Sequence, residues 1–333
     1  MNRSLCPVCF KEIVADVTVG NHVWMIKECP EHGRFSAMVE RDPHWYFFCK
    51  KENSPCFYEG LMVDVTNQCN IKCKYCYHDN SGGHRSVEDV INEIQYYGDK
   101  APFILTGGEP TLHPELADII QQSLAYGQTV LLTNGIKLCD EEYLQSIIDT
   151  GILDNGGFGL SFHKESNGKD LEFIDICRNK GVLIGTAFYV IDSVDQMQEA
   201  VKLLEENQDV LREIRIKAAS NLWNESKVNN KIFVSDMFKQ LVNLGETSID
   251  TTCNNKLSYA NTIHKGLKIK LISWYDKYNI DLDDINCDPW YLAKNGTLNN
   301  LVTTGILNES TMHIEIDVQG IAKSMLERES PCK

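Results

Sequence analysis

An α/β architecture built on parallel strands is what the sequence predicts for most of this chain. Three observations carry that expectation. From Leu61 onward, strand-like apolar runs alternate repeatedly with helical stretches. The first 57 residues differ in composition and read as an antiparallel hairpin module. The 333 residues suffice for one large domain with an appendage, and the 43% apolar and 24% charged content is that of a packed protein, which excludes disorder, collagen and coiled coil.

The elements follow in order. CPVC opens the first module. EIVADVT and HVWMIKE alternate apolar and polar residues on either side of a Gly20-Asn21 turn, as hairpin strands do. CPEHG and a further strand-like run, RFSAMVE, come next, and two Cys-Pro turns at the ends of a hairpin outline a zinc ribbon. LMVDVT is then a strand, followed by a cysteine-bearing loop over 67–83. Ser86 N-caps a helix through VEDVINEIQYYG, with Asp89 at the capping-box position. PFILT is a strand that ends in Gly-Gly-Glu-Pro, and a helix runs from about Pro114 to Ala125. TVLLTNG, GFGLSFH, GVLIGTAFYVI and REIRIKA are further strands, separated by helices near 140–149, 169–179 and 194–206, and a helix near 231–244 closes the series. Beyond it KLISWYD, YNIDLDD, TLNNLVT and MHIEIDV read as strands, with Gln319-Gly320 as a turn. The expected division is a metal ribbon over 1–57, the parallel α/β domain over 58–245, and a C-terminal capping or substrate segment over 246–333.

The formal charge of −15 disfavours nucleic acid or anionic lipid as a partner. The opening MNRSLCPVCF has no apolar signal segment and no run reaches membrane-spanning length, so the cytoplasm is the expected location. The cysteines are unevenly spread: of 13, eight lie within the first 76 residues, at Cys6, Cys9, Cys29, Cys49, Cys56, Cys69, Cys73 and Cys76. In such a chain, clustered thiols point to metal ligation rather than disulfides. Cys139, Cys177, Cys253, Cys287 and Cys332 are dispersed and read mainly as small apolar residues, Cys332 as exposed; a second cluster from Cys253, Cys287 and Cys332 stays open.

Cys6-Pro-Val-Cys9 and Cys29-Pro-Glu-His32 form a C-x2-C-x19-C-x2-H pattern. Each pair makes a knuckle and the hairpin brings the pairs together, giving a tetrahedral site for structural zinc. Cys49 or Cys56 in place of His32 would give four thiolates and a mononuclear iron site in rubredoxin fashion. A module this small has little core, so the metal supplies much of its folding energy.

The sharpest signal is CNIKCKYC, in which Cys69, Cys73 and Cys76 share one short loop directly after the LMVDVT strand. Three thiolates leave a structural zinc site incomplete, but they leave one iron of a [4Fe–4S] cluster open to a small ligand. The C-terminal mouth of a parallel barrel is where such folds build active sites.

CNIKCKYC, with Tyr75 as its aromatic residue, resembles the CxxxCxΦC motif of the radical SAM superfamily, and LTGGEP resembles that family's second motif. The resemblance implies a partial (β/α)6 barrel over about 58–245. It implies that Cys69, Cys73 and Cys76 ligate a [4Fe–4S] cluster whose open iron binds S-adenosylmethionine, and that reductive cleavage yields a 5′-deoxyadenosyl radical that takes hydrogen from a substrate. It further implies that Tyr75 lies near the adenine, that Gly107 and Gly108 let the backbone approach the methionine amino group, and that Glu109 lies near that ammonium. Thr133, Asn134 and Ser161 match positions that contact the methionine or ribose.

His163, just past the GLSF strand, is a candidate proton donor or substrate contact. Arg215 and Lys217 are candidates to hold a substrate carboxylate or phosphate. The Trp274-Tyr275 and Trp290-Tyr291 pairs read chiefly as packing. The CPxC…CPxHG module resembles the one ahead of the barrel in the subgroup of tetraether lipid synthase and pterin methylases. The expected protein is thus a radical SAM enzyme acting on a small biosynthetic substrate with a one-electron donor such as flavodoxin or ferredoxin. Two alternatives stay open: a modifier of peptide or tRNA, and a non-catalytic iron–sulfur or zinc redox sensor.

Overall fold

Four antiparallel strands form the N-terminal sheet in chain order: β1 (Asn2–Leu5), β2 (Glu12–Val19), β3 (Val23–Cys29) and β4 (Gly33–Glu40). The computed structural model describes residues 2–9, 11–51, 60–76, 82–98, 101–219, 231–250, 255, 257–273 and 278–279. The β2–β3 turn falls at the expected Gly20-Asn21, closed by the Gly20 N–H donating to the His22 carbonyl at 3.1 Å. In β3 the alternation places Val23, Met25, Lys27 and Cys29 on the buried face. The buried Lys27 ammonium is satisfied by Ser4 Oγ at 3.0 Å and the Leu5 carbonyl at 2.5 Å. Helix α1 (Pro43–Lys51) follows. The sequence reading did not include it, although Asp42-Pro43 carries the signal: the Asp42 carboxylate accepts the His44 N–H at 2.8 Å and Pro43 needs no partner at the first helical position.

The chain divides into two compact units, and the second comprises Tyr58–Val190 and Glu199–Arg215. Its strands are β5 (Leu61–Thr66), β6 (Phe103–Gly107), β7 (Thr129–Thr133), β8 (Gly156–Phe162), β9 (Ile184–Ile191) and the start of β10 (Glu213–Ala218), neighbours in chain order. Pairings from β5 to β9 are parallel, and a parallel bridge joins Ile184 to Leu211 just ahead of β10. Helices α2 (Val87–Tyr96), α3 (Leu116–Leu124), α4 (Glu141–Ile148), α5 (Lys169–Lys180) and α6 (Met197–Glu206) intervene. Each strand is thus followed by a helix, as a (β/α) barrel requires. The strands read as nearly continuous apolar runs because both faces are covered: Leu61, Val63, Phe103, Leu105, Leu131, Phe158, Leu160 and Ile184 are all buried. The helices present Val90, Ile94, Ile119, Ile120, Leu144, Ile147, Phe173, Ile174 and Cys177 to that core. Ser86 caps α2 as expected, accepting the Asp89 N–H at 3.1 Å. Because the strands run the same way, the loops after β5, β6, β7 and β8 all leave from one edge of the sheet.

The other unit combines residues 1–57, 191–198 and 216–333. It holds α7 (Val234–Leu244), β11 (Thr247–Ile249), β12 (Tyr259–His264) and β13 (Leu267–Ile272), the last three antiparallel. The β12–β13 hairpin turns on Lys265 and Gly266, both at positive φ (49° and 83°), the conformation of a type I′ turn. The expected KLISWYD strand begins at Lys270, three residues inside β13, and β12 is not among the expected elements. YNIDLDD lies almost wholly, and TLNNLVT and MHIEIDV wholly, outside the described residues, as do both Trp-Tyr pairs, Cys56, Cys253, Cys287 and Cys332. Within this unit the N-terminal module packs on α7: the buried Glu40 carboxylate accepts Ser235 Oγ–H at 2.5 Å, and the Trp45 and Phe238 rings lie 5.3 Å apart. Among the described residues no helix is long and apolar enough to cross a membrane.

Candidate active site and metal ribbon

The ribbon brings four ligand atoms together. Cys6 and Cys9 flank the β1–β2 turn, where the Val8 N–H points at Cys6 Sγ at 3.5 Å, and Cys29 ends β3 ahead of the turn that carries His32. Their ligand atoms all lie within 4.8 Å of one another. Cys9 Sγ is 3.8 Å from Cys29 Sγ, and His32 Nδ1 is 3.5 Å from Cys29 Sγ and 3.8 Å from Cys6 Sγ. A tetrahedron with Zn–S near ~2.3 Å and Zn–N near ~2.05 Å has S···S edges of about 3.8 Å and S···N edges of about 3.6 Å. The four residues therefore fit a zinc ion closely. Ile13 and Phe35 pack against the three buried sulfurs. The His32 hydrogen bond pulls the Cys29 thiol down to about 6, while burial pushes the Cys9 thiol up to about 11. Cys49 is buried on α1 and stands outside the group.

The second site grows from the loop ends of β5 to β8. Cys69, Cys73 and Cys76 are half-buried on the loop that leaves β5. Burial pushes the Cys73 thiol up to about 12 and the Cys69 thiol upward, and the charge of neighbouring cysteine sulfurs adds to both. As thiolates, these partly desolvated groups would be stabilised by a positively charged centre among them. Unlike the ribbon ligands, the three sulfurs do not all lie within 4.8 Å of one another. That suits ligation of separate irons in a cluster rather than of one ion, so the residues fit a [4Fe–4S] group.

Two backbone hydrogen bonds fasten the root of this loop to the end of β6. The Gly108 N–H donates to the Thr66 carbonyl and the Glu109 N–H to the Gln68 carbonyl, each at 2.7 Å. Such an approach leaves no room for side chains. A Cβ on Gly107, whose φ is +135°, would overlap the Thr66 carbonyl oxygen, and one on Gly108 would overlap that of Gln68. The two glycines thus have a steric task within the fold itself.

Glu109 is buried, and its carboxylate accepts four hydrogen bonds. Oε1 takes the Thr111 N–H at 3.1 Å, the Thr111 hydroxyl at 2.5 Å and the Thr133 hydroxyl at 2.6 Å, and Oε2 takes the Asn134 N–H at 2.8 Å. Burial raises its pKa against the lowering effect of these donors. Asn134 in turn reaches the cysteine loop: its Nδ2 donates to Asn70 Oδ1 at 2.8 Å. Lys137 Nζ and the Tyr143 hydroxyl both donate to the Thr111 carbonyl, at 2.8 and 2.9 Å.

After β8, His163 Nδ1 lies 3.2 Å from Cys73 Sγ, and Glu165 accepts the Lys74 N–H at 3.0 Å. Of the residues the sequence pointed to, Gly107, Gly108, Glu109, Thr133 and Asn134 thus share one network, and Cys73 meets His163. Ser161 is half-buried two residues before His163 on β8 and enters neither network. Tyr75 lies with its ring under Lys74 Nζ, 4.8 Å from the centroid. On β10, Ile214 and Ile216 take the buried face, and Arg215 pairs with Glu213 at 2.7 Å and lies over the Phe188 ring. Asn70, Thr111 and Glu165 are not among the site residues expected from the sequence. Only Thr111, directly after GGEP, had a positional hint.

Residues 63–206 match the Radical SAM superfamily and residues 2–41 match the HMPTM N-terminal zinc ribbon domain. A 7,8-dihydro-6-hydroxymethylpterin dimethyltransferase of Methanocaldococcus jannaschii is 27% identical over 288 residues, covering 71% of this chain and 57% of that protein. A probable GTP 3′,8-cyclase of Archaeoglobus fulgidus is 31% identical over 98 residues, 28% of this chain and 32% of that one. Among solved structures, Streptococcus suis SuiB bound to precursor peptide SuiA superposes with a TM-score of 0.45 at 17% identity, covering 60% of this chain and 48% of that one. The chain thus spans little more than half of the pterin dimethyltransferase it matches.

A zinc-ribbon match and a radical SAM match in one chain define an iron–sulfur enzyme. Residues 63–206 are a radical SAM domain, and the cofactors of that family are a [4Fe–4S] cluster and S-adenosylmethionine.

Proposed function

We propose that this enzyme binds its catalytic cluster through Cys69, Cys73 and Cys76, holds zinc through Cys6, Cys9, Cys29 and His32, and acts on a small biosynthetic molecule of the reduced-pterin or related fused nitrogen-heterocycle class. The observation that carries the reading is the double backbone attachment of Gly108 and Glu109 to Thr66 and Gln68, which joins the two motifs into one mouth. The substrate class is supported by the ribbon match and by the names of relatives, a hydroxymethylpterin dimethyltransferase and a GTP cyclase.

When bound, the reduced cluster would supply one electron to the sulfonium of S-adenosylmethionine, which would provide the radical chemistry for hydrogen abstraction. The chain's own residues hold and screen that chemistry. Glu109 offers a buried carboxylate close to where the methionine ammonium would lie, Thr133 and Asn134 order the adjoining turn, and Tyr75 and Ser161 would flank the nucleoside. His163 stands at the sulfur of Cys73. The electron comes from a small donor protein of the flavodoxin or ferredoxin type, in the cytoplasm.

The test is anaerobic reconstitution with iron and sulfide, then dithionite and S-adenosylmethionine. About four irons per chain beyond the ribbon metal and release of 5′-deoxyadenosine are expected, faster with 7,8-dihydro-6-hydroxymethylpterin present. Absence of 5′-deoxyadenosine under every condition would refute the catalytic reading. Stimulation by peptide alone would refute the substrate class.

A further inference from the structure

Cys73, His163 and Glu165 bring three ligand-type atoms within 4.8 Å of one another, at the site but outside the four-residue ribbon group. His163 Nδ1 is 3.2 Å from Cys73 Sγ, well inside the reach of an N–H···S hydrogen bond. His163 is anchored from behind: its backbone N–H donates to Asp170 Oδ2 at 3.3 Å, and the Ser166 N–H closes a turn on its carbonyl at 2.9 Å. The same turn carries Glu165, whose carboxylate accepts the Lys74 N–H at 3.0 Å. The segment after β8 therefore grips the cysteine loop on both sides of the Cys73–Lys74 peptide, once at a sulfur and once at the backbone.

A ligating cysteine is a thiolate and has no proton to give, so the nitrogen facing it must be the donor. We infer that His163 donates an Nδ1–H hydrogen bond to the Cys73 thiolate and raises the reduction potential of the cluster, acting as a positioning and tuning residue rather than a substrate-side acid. The inference rests on Cys73 being a cluster ligand. A hydrogen bond to a ligating sulfur withdraws electron density from the iron–sulfur unit and favours its reduced form. Glu165 opposes this: its charge lies close enough to press on Cys73. Removing the histidine thus takes away the side-chain donor and leaves the negative charges of Glu165 and the neighbouring sulfurs acting on Cys73, and the potential falls.

The experiment compares reconstituted wild type, His163→Phe and His163→Gln by EPR-monitored redox titration, with iron content measured on each. His163→Phe should keep its iron and show a more negative midpoint, and His163→Gln, whose amide can still donate, should recover part of the shift. As a second measurement, pulsed EPR of reduced wild type labelled with ¹⁵N-histidine should show a nitrogen coupling that His163→Gln lacks. An unmoved midpoint in His163→Phe, or an unaltered coupling in His163→Gln, overturns the inference while leaving the cluster assignment standing. If His163→Phe does not hold iron, the midpoint of His163→Gln and the wild-type coupling decide, and absence of any coupling overturns the inference. A wild type that binds no cluster overturns the reading of Cys73, and the inference with it.

Discussion

The side-chain amide of Asn134 donates to Asn70 Oδ1 at 2.8 Å, and this bond ties the turn after β7 to the start of the three-cysteine loop, beside Cys69. A second polar group of the same side chain, Oδ1, accepts the Ile136 N–H at 3.1 Å, so the amide cannot swing away without exposing its own turn. Asn134→Ala should cost about 1 kcal/mol of stability and loosen the loop. The measurement is the rate at which reconstituted protein loses iron to a chelator, expected to rise several-fold over wild type. An unchanged rate would mean that the loop is held without Asn70.

Glu109 is the hub on which the ends of β6 and β7 meet. Glu109→Ala leaves the Asn134 N–H and the Thr133 and Thr111 donors in a buried site without their acceptor. A loss of about 2–4 kcal/mol is expected from such unpaired groups, readable as a lowered denaturant midpoint in protein free of S-adenosylmethionine. Glu109→Gln keeps one oxygen acceptor and should fall between the two. Equal midpoints for all three would show that the network is dispensable.

Gly108→Ala sets a methyl group on the Gln68 carbonyl and 2.9 Å from the Asn67 carbonyl oxygen. Relief requires the strand end and the loop root to separate, which breaks the Gly108–Thr66 and Glu109–Gln68 hydrogen bonds. The expected cost is about 2–4 kcal/mol, together with reduced iron uptake on reconstitution. Full uptake with a wild-type melting temperature would contradict the close approach.

The two metal sites should come apart under mutation. Joint replacement of Cys69, Cys73 and Cys76 by Ala should abolish cluster iron and retain one zinc per chain by elemental analysis. Replacing Cys6 and Cys9 should remove that zinc and lower Tm by about 5 °C or more. Zinc that survives the second change would mean the ligands lie elsewhere.

Asp64 on β5 gives a pH dependence of defined sign. Burial first, and the Glu93 charge second, push its carboxyl up to about 7, against the lowering effect of Arg85. The folded protein thus keeps a proton that the unfolded chain gives up near its ordinary value of 3.8. Stability from this group is greatest in acid, declines as pH rises from about 4, and levels off above about 7. Asp64→Asn should flatten that slope and gain most over wild type near pH 8, as urea midpoints at pH 5 and pH 8 would show. A parallel pair of pH profiles would remove Asp64 as the cause.

The barrel strands were legible because a strand covered on both faces must be apolar almost throughout, as PFILT, TVLLT and LMVDVT are. Helix α2 was legible through Ser86 and Asp89, and the four-residue ribbon group through its cysteine spacing. Helix α1 escaped because HWYFFCKK shows an aromatic run rather than a clear helical stripe. The contacts of Asn70, Thr111 and Glu165 were hidden for a different reason. Each joins segments tens of residues apart through one parallel register or one loop end, and local sequence holds no mark of which loop will lie opposite. The glycines were read as making way for a cofactor; their crowding against Thr66 and Gln68 appears only once two strand ends are set side by side.

The bond between Glu40 and Ser235 spans 195 positions, and Trp45 stacks on a ring from the same distant helix. During synthesis the first forty residues emerge long before the helix that shields their flank. At ribosomal speeds of roughly 5–20 residues per second, that gap is on the order of ten seconds or more. A nascent chain therefore carries an early module with an uncovered side for the whole time its catalytic half is being made. Early capture of the ribbon metal would then protect the newborn protein during this interval.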